Sequence, residues 1–172
     1  MLIRPTIGEY AEYFEPYIQL VPEGEVVSLL QAQPELAVRQ LGHCTEEQGD
    51  FRYAEGKWSL KEVLGHITDT ERVMSYRLLR IARGDTTPLP SFEESLFVSN
   101  AHFGRFTISA LLGDFATVRQ STLALVRQLE DDAWLRIGNA SDKNVSARAL
   151  AYIMAGHANH HFNIIRERYL QV

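Results

Sequence analysis

The sequence predicts an all-α fold, a four-helix bundle with a long crossover between its second and third helices, and three observations carry that expectation. Four segments repeat apolar residues at spacings of three and four, the period of a helix with one face turned inward. No stretch reads convincingly as a strand, and neither an internal repeat nor a low-complexity tract is visible. Between the second and third segments lie about twenty residues, far more than the roughly two to eight usual between antiparallel neighbours. A link of that length lets the chain cross the bundle, so helices two and three are free to run parallel.

The first helix is expected from Glu25 to about Leu41, with Val26, Leu29, Leu30, Leu36 and Leu41 on one side. Pro34 inside it lacks an N–H and should kink or divide it. The second begins at "WSLKEVLGHI", where Ser59 and Glu62 make a capping box for the free backbone N–H groups, and should extend from Leu60 to Ala82 before Gly84. Leu60, Val63, Leu64, Ile67, Met74, Leu78 and Ile81 form its inward stripe. In the crossover "GDTTPLPSFEESLFVSNAHFGR", Pro88 and Pro90 stiffen the first part, and Ser91 to Asn100 leaves room for a short helical turn. The third helix, roughly Thr107 to Leu129, repeats Leu111, Phe115, Val118, Thr122, Leu125 and Leu129, with Asp131 and Asp132 beyond its end. The fourth, from about Val145 to Tyr169, is entered through Asn144 or Ser146 as a cap and carries the stripe Leu150, Ile153, Met154, Ile164 and Ile165.

A chain of 172 residues with 45% hydrophobic content suits one domain, 1–172, with residues 1–22 as an N-terminal extension on the bundle. Its aromatic residues Tyr10, Tyr13, Phe14 and Tyr17 are available to cover the bundle or a partner subunit. Seventeen basic against twenty-two acidic residues leave a net charge of −5, which argues against nucleic acid as a partner. Cys44 is the single cysteine, so no intramolecular disulfide or cysteine-based zinc site forms, and the composition suits a reducing cytoplasm. Glu9, Glu12 and Glu15 stand where a signal peptide needs its apolar run, and no span of about 18 apolar residues is present to cross a membrane.

The fourth helix contains "GHANHHFNIIRERYL", half of the six histidines of the chain on one turn. At about 100° per residue, His157 and His161 lie about 40° apart and continue the apolar stripe between Met154 and Ile164. Two imidazoles at core-facing positions need partners, and a divalent cation is one that neutral imidazoles spaced i, i+4 can share. A third ligand must come from another helix, and His66 in "GHITDTER" is the candidate, beside the core residue Ile67. Three imidazoles with one open position make a recognised catalytic metal geometry. Spacing alone leaves that reading level with a hydrogen-bonded polar core cluster. His160, at the edge of the stripe, fits a supporting role better than that of a ligand, and His43 and His102 lie outside the stripes. Glu71 is placed to orient an imidazole or act as a base, or equally to pair with Arg72, Arg77, Arg166 or Arg168, and Asp69 either supports His66 or faces solvent. Trp58 and Trp134 read as core anchors.

With "KWSLKEVLGHITDTERVMSYRLLRIARGD", "PLPSFEES" and "GHANHHFNIIRERYL" in this order, the chain closely resembles the DinB-like superfamily over roughly residues 15 to 170. This metal-binding bundle family, named for DNA-damage-inducible proteins, includes YfiT-like thiol transferases. The most specific element is a single histidine in helix two combined with HxxxH in helix four. The resemblance implies an up-down-down-up bundle, often dimeric, with metal ligands at His66, His157 and His161. It also implies a divalent ion, zinc or nickel first and iron or manganese next, and a low-molecular-weight thiol such as bacillithiol or mycothiol with a small electrophile as partners. The expectation is therefore a metal-dependent thiol S-transferase; hydrolysis by metal-activated water and a non-catalytic, metal-binding stress-response protein are the alternatives. Despite the family's name, an acidic chain without a basic stripe offers DNA no docking surface.

Overall fold

The computed structural model describes residues 2–170. The elements are α1 (Glu15–Gln19), α2 (Val26–Leu41), α3 (Glu46–Asp50), α4 (Leu60–Ala82), α5 (Glu94–Ala101), α6 (Ile108–Val126), α7 (Asp131–Trp134), the strands β1 (Ile137–Ala140) and β2 (Lys143–Ser146), and α8 (Ala147–Ile164). The bundle consists of α2, α4, α6 and α8. The α4 boundaries follow from its caps: the Ser59 hydroxyl accepts from Glu62 N–H, and the Glu62 carboxylate returns to Ser59 N–H at 2.7 Å. Thr107 and Ser146 cap α6 and α8 in the same manner. After Ile164 the chain closes with one π-helical turn, Ile165–Tyr169.

Contacts along the helices fix their directions. Gln33 reaches Ala155 and Gln40 reaches Phe162, so α2 and α8 run parallel. Arg72 meets Asp114 and Arg83 meets Gln128, so α4 and α6 also run parallel. Tyr169 bonds to Trp58 O while His66 faces His157, which sets α4 antiparallel to α8. The result is up-down-down-up. Both α2 and α4 pack against α6 and α8, which places α2 opposite α4 and α6 opposite α8 across the bundle. No helix is long and apolar enough to cross a membrane among the described residues.

Two expectations are corrected. The chain does form strands: β1 and β2 make an antiparallel hairpin closed by Ser141 and Asp142, both at positive φ. Four-residue strands are too short to display alternation, and the turn carries Ser-Asp where Asn-Gly is the usual signal. The hairpin anchors the crossover through Leu89 N–H to Asn139 O and Ser141 N–H to Leu89 O.

The second correction concerns one of the two outcomes expected at Pro34, division of the helix: α2 continues through it. A proline deprives the carbonyl one turn back, that of Leu30, of its helical donor. Arg119 of α6 supplies the replacement, Nη1 donating to Leu30 O at 2.9 Å. A buried side chain from a neighbouring helix thus repairs the gap.

Apolar side chains fall into two clusters along the bundle axis. One gathers Val26, Leu30, Leu78, Ile81, Val126, Leu150 and Ile153, and the other Leu41, Leu64, Ile67, Leu112, Phe115 and Phe162. Between their positions on the helices lie the buried polar residues Gln33, Thr70, Glu71, Arg119 and His157, with His66 just inside the second cluster. The core is therefore crossed by a polar layer, and such a layer persists only where its groups find partners.

Candidate metal centre

Two bundle helices contribute the three histidines. His157 and His161 stand one turn apart on α8, and His66 faces them from the first half of α4, on the antiparallel neighbour. Their ring centroids are 4.5 to 4.9 Å apart. Nε2 of His157 lies 3.0 Å from Nε2 of His66 and 3.1 Å from Nε2 of His161, and the three ligand atoms sit within 4.8 Å of one another. His66 and His157 are buried, and His161 is partly exposed.

Proton bookkeeping separates this cluster from an ordinary hydrogen-bonded group. Burial lowers the His66 pKa to about 4. Burial, and then the neighbouring rings, hold His157 and His161 well below the usual imidazole range. All three are neutral near pH 7, each with one N–H and one lone pair. A single lone pair on His157 Nε2 accepts one well-aligned proton, so it cannot satisfy both neighbours well. Nitrogens roughly 2.0–2.1 Å from a tetrahedral ion stand about 3.3–3.4 Å apart, close to the two spacings that His157 makes. The donor set fits a divalent ion with one position left for a ligand.

The surroundings fix the rings. The Thr70 hydroxyl lies 3.5 Å from His66 Nδ1, and the Trp58 ring stacks at a tilt on His66 with centroids 4.8 Å apart. Tyr17 meets His157 edge-on at 5.4 Å and His160 at 5.2 Å. Its segment can pass this close because residue 156 is glycine: a Cβ there would stand 1.9 Å from Tyr17 O.

Glu71 and Asp69 do not support a histidine. Both Glu71 oxygens receive Arg119, from Nε at 2.7 Å and Nη2 at 2.8 Å, and none of the four arginines expected from sequence is the partner. Asp69 accepts from Arg72 at 2.8 Å. His160 is half-buried, in ring contact with His161 at 5.1 Å but outside the converging nitrogens. His102 ends α5 in a left-handed conformation, and His43 is exposed on a loop. Sequence reading passed over Arg119, Thr70 and Tyr17 as site neighbours and took Trp58 as core alone. Only the i, i+4 spacing of His66 and Thr70 was open to it.

The sequence profile of the DinB superfamily matches residues 29–165, well over half of the chain. Among solved structures, YfiT from Bacillus subtilis, described as "a probable metal-dependent hydrolase with an unusual four-helix bundle topology", is similar with a TM-score of 0.76 and 19% identity, over 95% of this chain and 89% of that one. A mycothiol-dependent maleylpyruvate isomerase is similar with a TM-score of 0.69 and 16% identity, over 90% of this chain; the match spans 63% of the isomerase. No curated protein matches the sequence.

Proposed function

The chain belongs to the DinB superfamily, and on that premise we propose that it is a metal-dependent enzyme in which His66, His157 and His161 hold one divalent ion, zinc or nickel by preference. Its reaction in this reading transfers a low-molecular-weight thiol to a small electrophile. The observation that carries the proposal is the convergence of three neutral imidazole nitrogens, two of them on rings that border cavities. When bound, the ion would supply a Lewis acid that lowers the pKa of a thiol or of water.

The chain's own residues do the rest. Burial keeps the imidazoles unprotonated, so their lone pairs are available at neutral pH. Thr70, Trp58 and Tyr17 hold the ring planes. In the overall transfer the S–H bond of the thiol and the C–X bond of the electrophile break and an S–C bond forms. The leaving group X departs with its bonding pair and is balanced by the thiol proton. The mycothiol dependence of the similar isomerase supports a thiol as reactant. The hydrolase description of YfiT supports a second reading, in which water takes the thiol's place.

The test is elemental analysis of tag-free protein, followed by conjugation of a model electrophile with bacillithiol, mycothiol or glutathione. About one ion per chain and thiol-dependent turnover are expected. Turnover without thiol would move the assignment to hydrolysis, and a metal-bound protein with neither activity would leave a metal-binding protein without catalysis.

A further inference from the structure

Two cavities reach the histidine cluster, and each touches a different ring. One, of about 230 Å³, is bordered by His157 and walled by Tyr13, Tyr17 and Phe92, with Arg77 and Glu94 as its charged residues. The other, of about 310 Å³, is bordered by His161 and walled by Tyr53, Trp58 and Tyr169, with Lys57 as its charged residue. Consecutive residues of α5 divide between them, Glu94 lining the first and Ser95 the second. The first turn of α5 thus stands between the two.

Each cavity holds one charged side chain that has neither a hydrogen-bond nor an ion-pair partner among the described residues. Arg77 is tied down by neutral acceptors: it donates to Pro90 O at 2.7 Å and to Ser141 Oγ at 2.9 Å, and packs over Phe92, so its donors are turned to the protein although no described carboxylate pairs with its charge. The Glu94 carboxylate and the Lys57 ammonium, both on exposed residues at the cavity rims, make no hydrogen bond or ion pair among the described residues. Burial, and then Glu93, push the Glu94 carboxyl upward, as they do for a carboxylate without a counter-charge. A carboxylate beside aromatic faces suits an organic ammonium, through ion pairing and cation–π attraction. A lysine beside aromatic walls suits a carboxylate or another organic anion.

We propose that the three-histidine cluster is served by two separate binding sites, one for a compact organic cation beside Glu94 and one for a compact organic anion beside Lys57. The two reactants of a transfer would then carry opposite charges and meet at the cluster from different sides. This deepens the reading above and rests on it, since hydrolysis needs one organic site only.

Benzylamine and benzoate, similar in size and opposite in charge, are the probes. Their binding near neutral pH is followed by ligand-observed NMR and calorimetry on tag-free protein, with and without zinc. Both should saturate, and a saturating amount of one should leave the affinity for the other within about twofold. Glu94→Gln should weaken benzylamine about fivefold and leave benzoate unchanged, while Lys57→Met should do the converse. Mutual displacement, failure of either probe to saturate, or indifference to its own variant overturns the proposal. Persistence of the Lys57 effect without zinc separates anion binding in the cavity from coordination to an added ion. Elemental analysis of the same samples keeps the two readings apart. Missing metal with two charge-selective sites sinks the metal reading alone, and bound metal with competing probes sinks this one alone.

Discussion

The polar layer of the bundle has two halves that solve burial in opposite ways. Around Arg119 every strong group is matched: the guanidinium binds both Glu71 oxygens, Leu30 O and Gln33 Oε1, and Gln33 Nε2 passes on to Ala155 O and Asn159 Oδ1. Around His157 two ring nitrogens converge on Nε2, which with one proton or one lone pair can satisfy only one of them well. A buried network that closes on itself belongs to the fold, whereas one whose members cannot satisfy each other is shaped for something added.

Breaking the closed half should have the largest effect. Arg119→Ala leaves Glu71 charged and alone and removes the donor to Leu30 O, and should cost about 3–5 kcal/mol in denaturant unfolding. Replacing Arg119 and Glu71 together by leucine should recover most of that loss. If the two halves are as separate as described, Arg119→Met should lower stability yet keep the metal content of the parent.

The open half should respond in the reverse pattern. Zinc at about a hundred times its dissociation constant should stabilise the parent by roughly 3 kcal/mol, read as a rise in Tm. His157→Ala and His161→Ala should abolish that rise while changing the metal-free protein by less than about 1 kcal/mol, because each removes a poorly partnered imidazole.

The pH dependence sharpens the contrast further. Unfolded imidazoles take up protons near pH 6.5, whereas His66 in the fold resists protonation down to about 4. Stability present above 6.5 is therefore lost as the pH falls through that interval. Denaturation midpoints of the metal-free parent should show this loss, and His66→Ala should reduce it.

The smallest effect expected is at Pro34. Restoring an N–H with Pro34→Ala should change stability by less than about 1 kcal/mol in the parent, because Leu30 O already has Arg119, against the ~3 kcal/mol usual for a proline inside a helix. In the Arg119→Met background the same change should stabilise more, and a double-mutant cycle reads the difference.

Helices and histidines were legible in the sequence because their signals are local. The Ser59–Glu62 box fixed the start of α4, and an interrupted apolar stripe exposed His157 and His161. Arg119 was invisible for the opposite reason. In "TVRQST" it reads as one more solvated charge, and its partners Glu71 and Leu30 lie 48 and 89 residues away. The hairpin turn at Ser141 and Asp142 lacked the glycine that announces such turns, and the unbroken course of α2 through Pro34 depends on a bond from another helix. Glu94 lay in the crossover, where no periodic pattern shows which residues border a cavity.

The arrangement of the helices also constrains how the chain reaches this state. Of the four bundle helices, successive members α2 and α4 face each other across the bundle, as do α6 and α8, and the successive pair that packs closely, α4 and α6, is parallel and joined by the long crossover. Among the described residues the bundle helices therefore offer no closely packed antiparallel hairpin of successive members as a local folding seed, and the native contacts between them must be closed over long loops. His66 and His157 are 91 residues apart, so a chain growing on the ribosome holds no three-histidine cluster until α8 has emerged and docked. Metal capture would then report on completed assembly, and refolding followed by a metal-sensitive signal should lag behind the recovery of helix content.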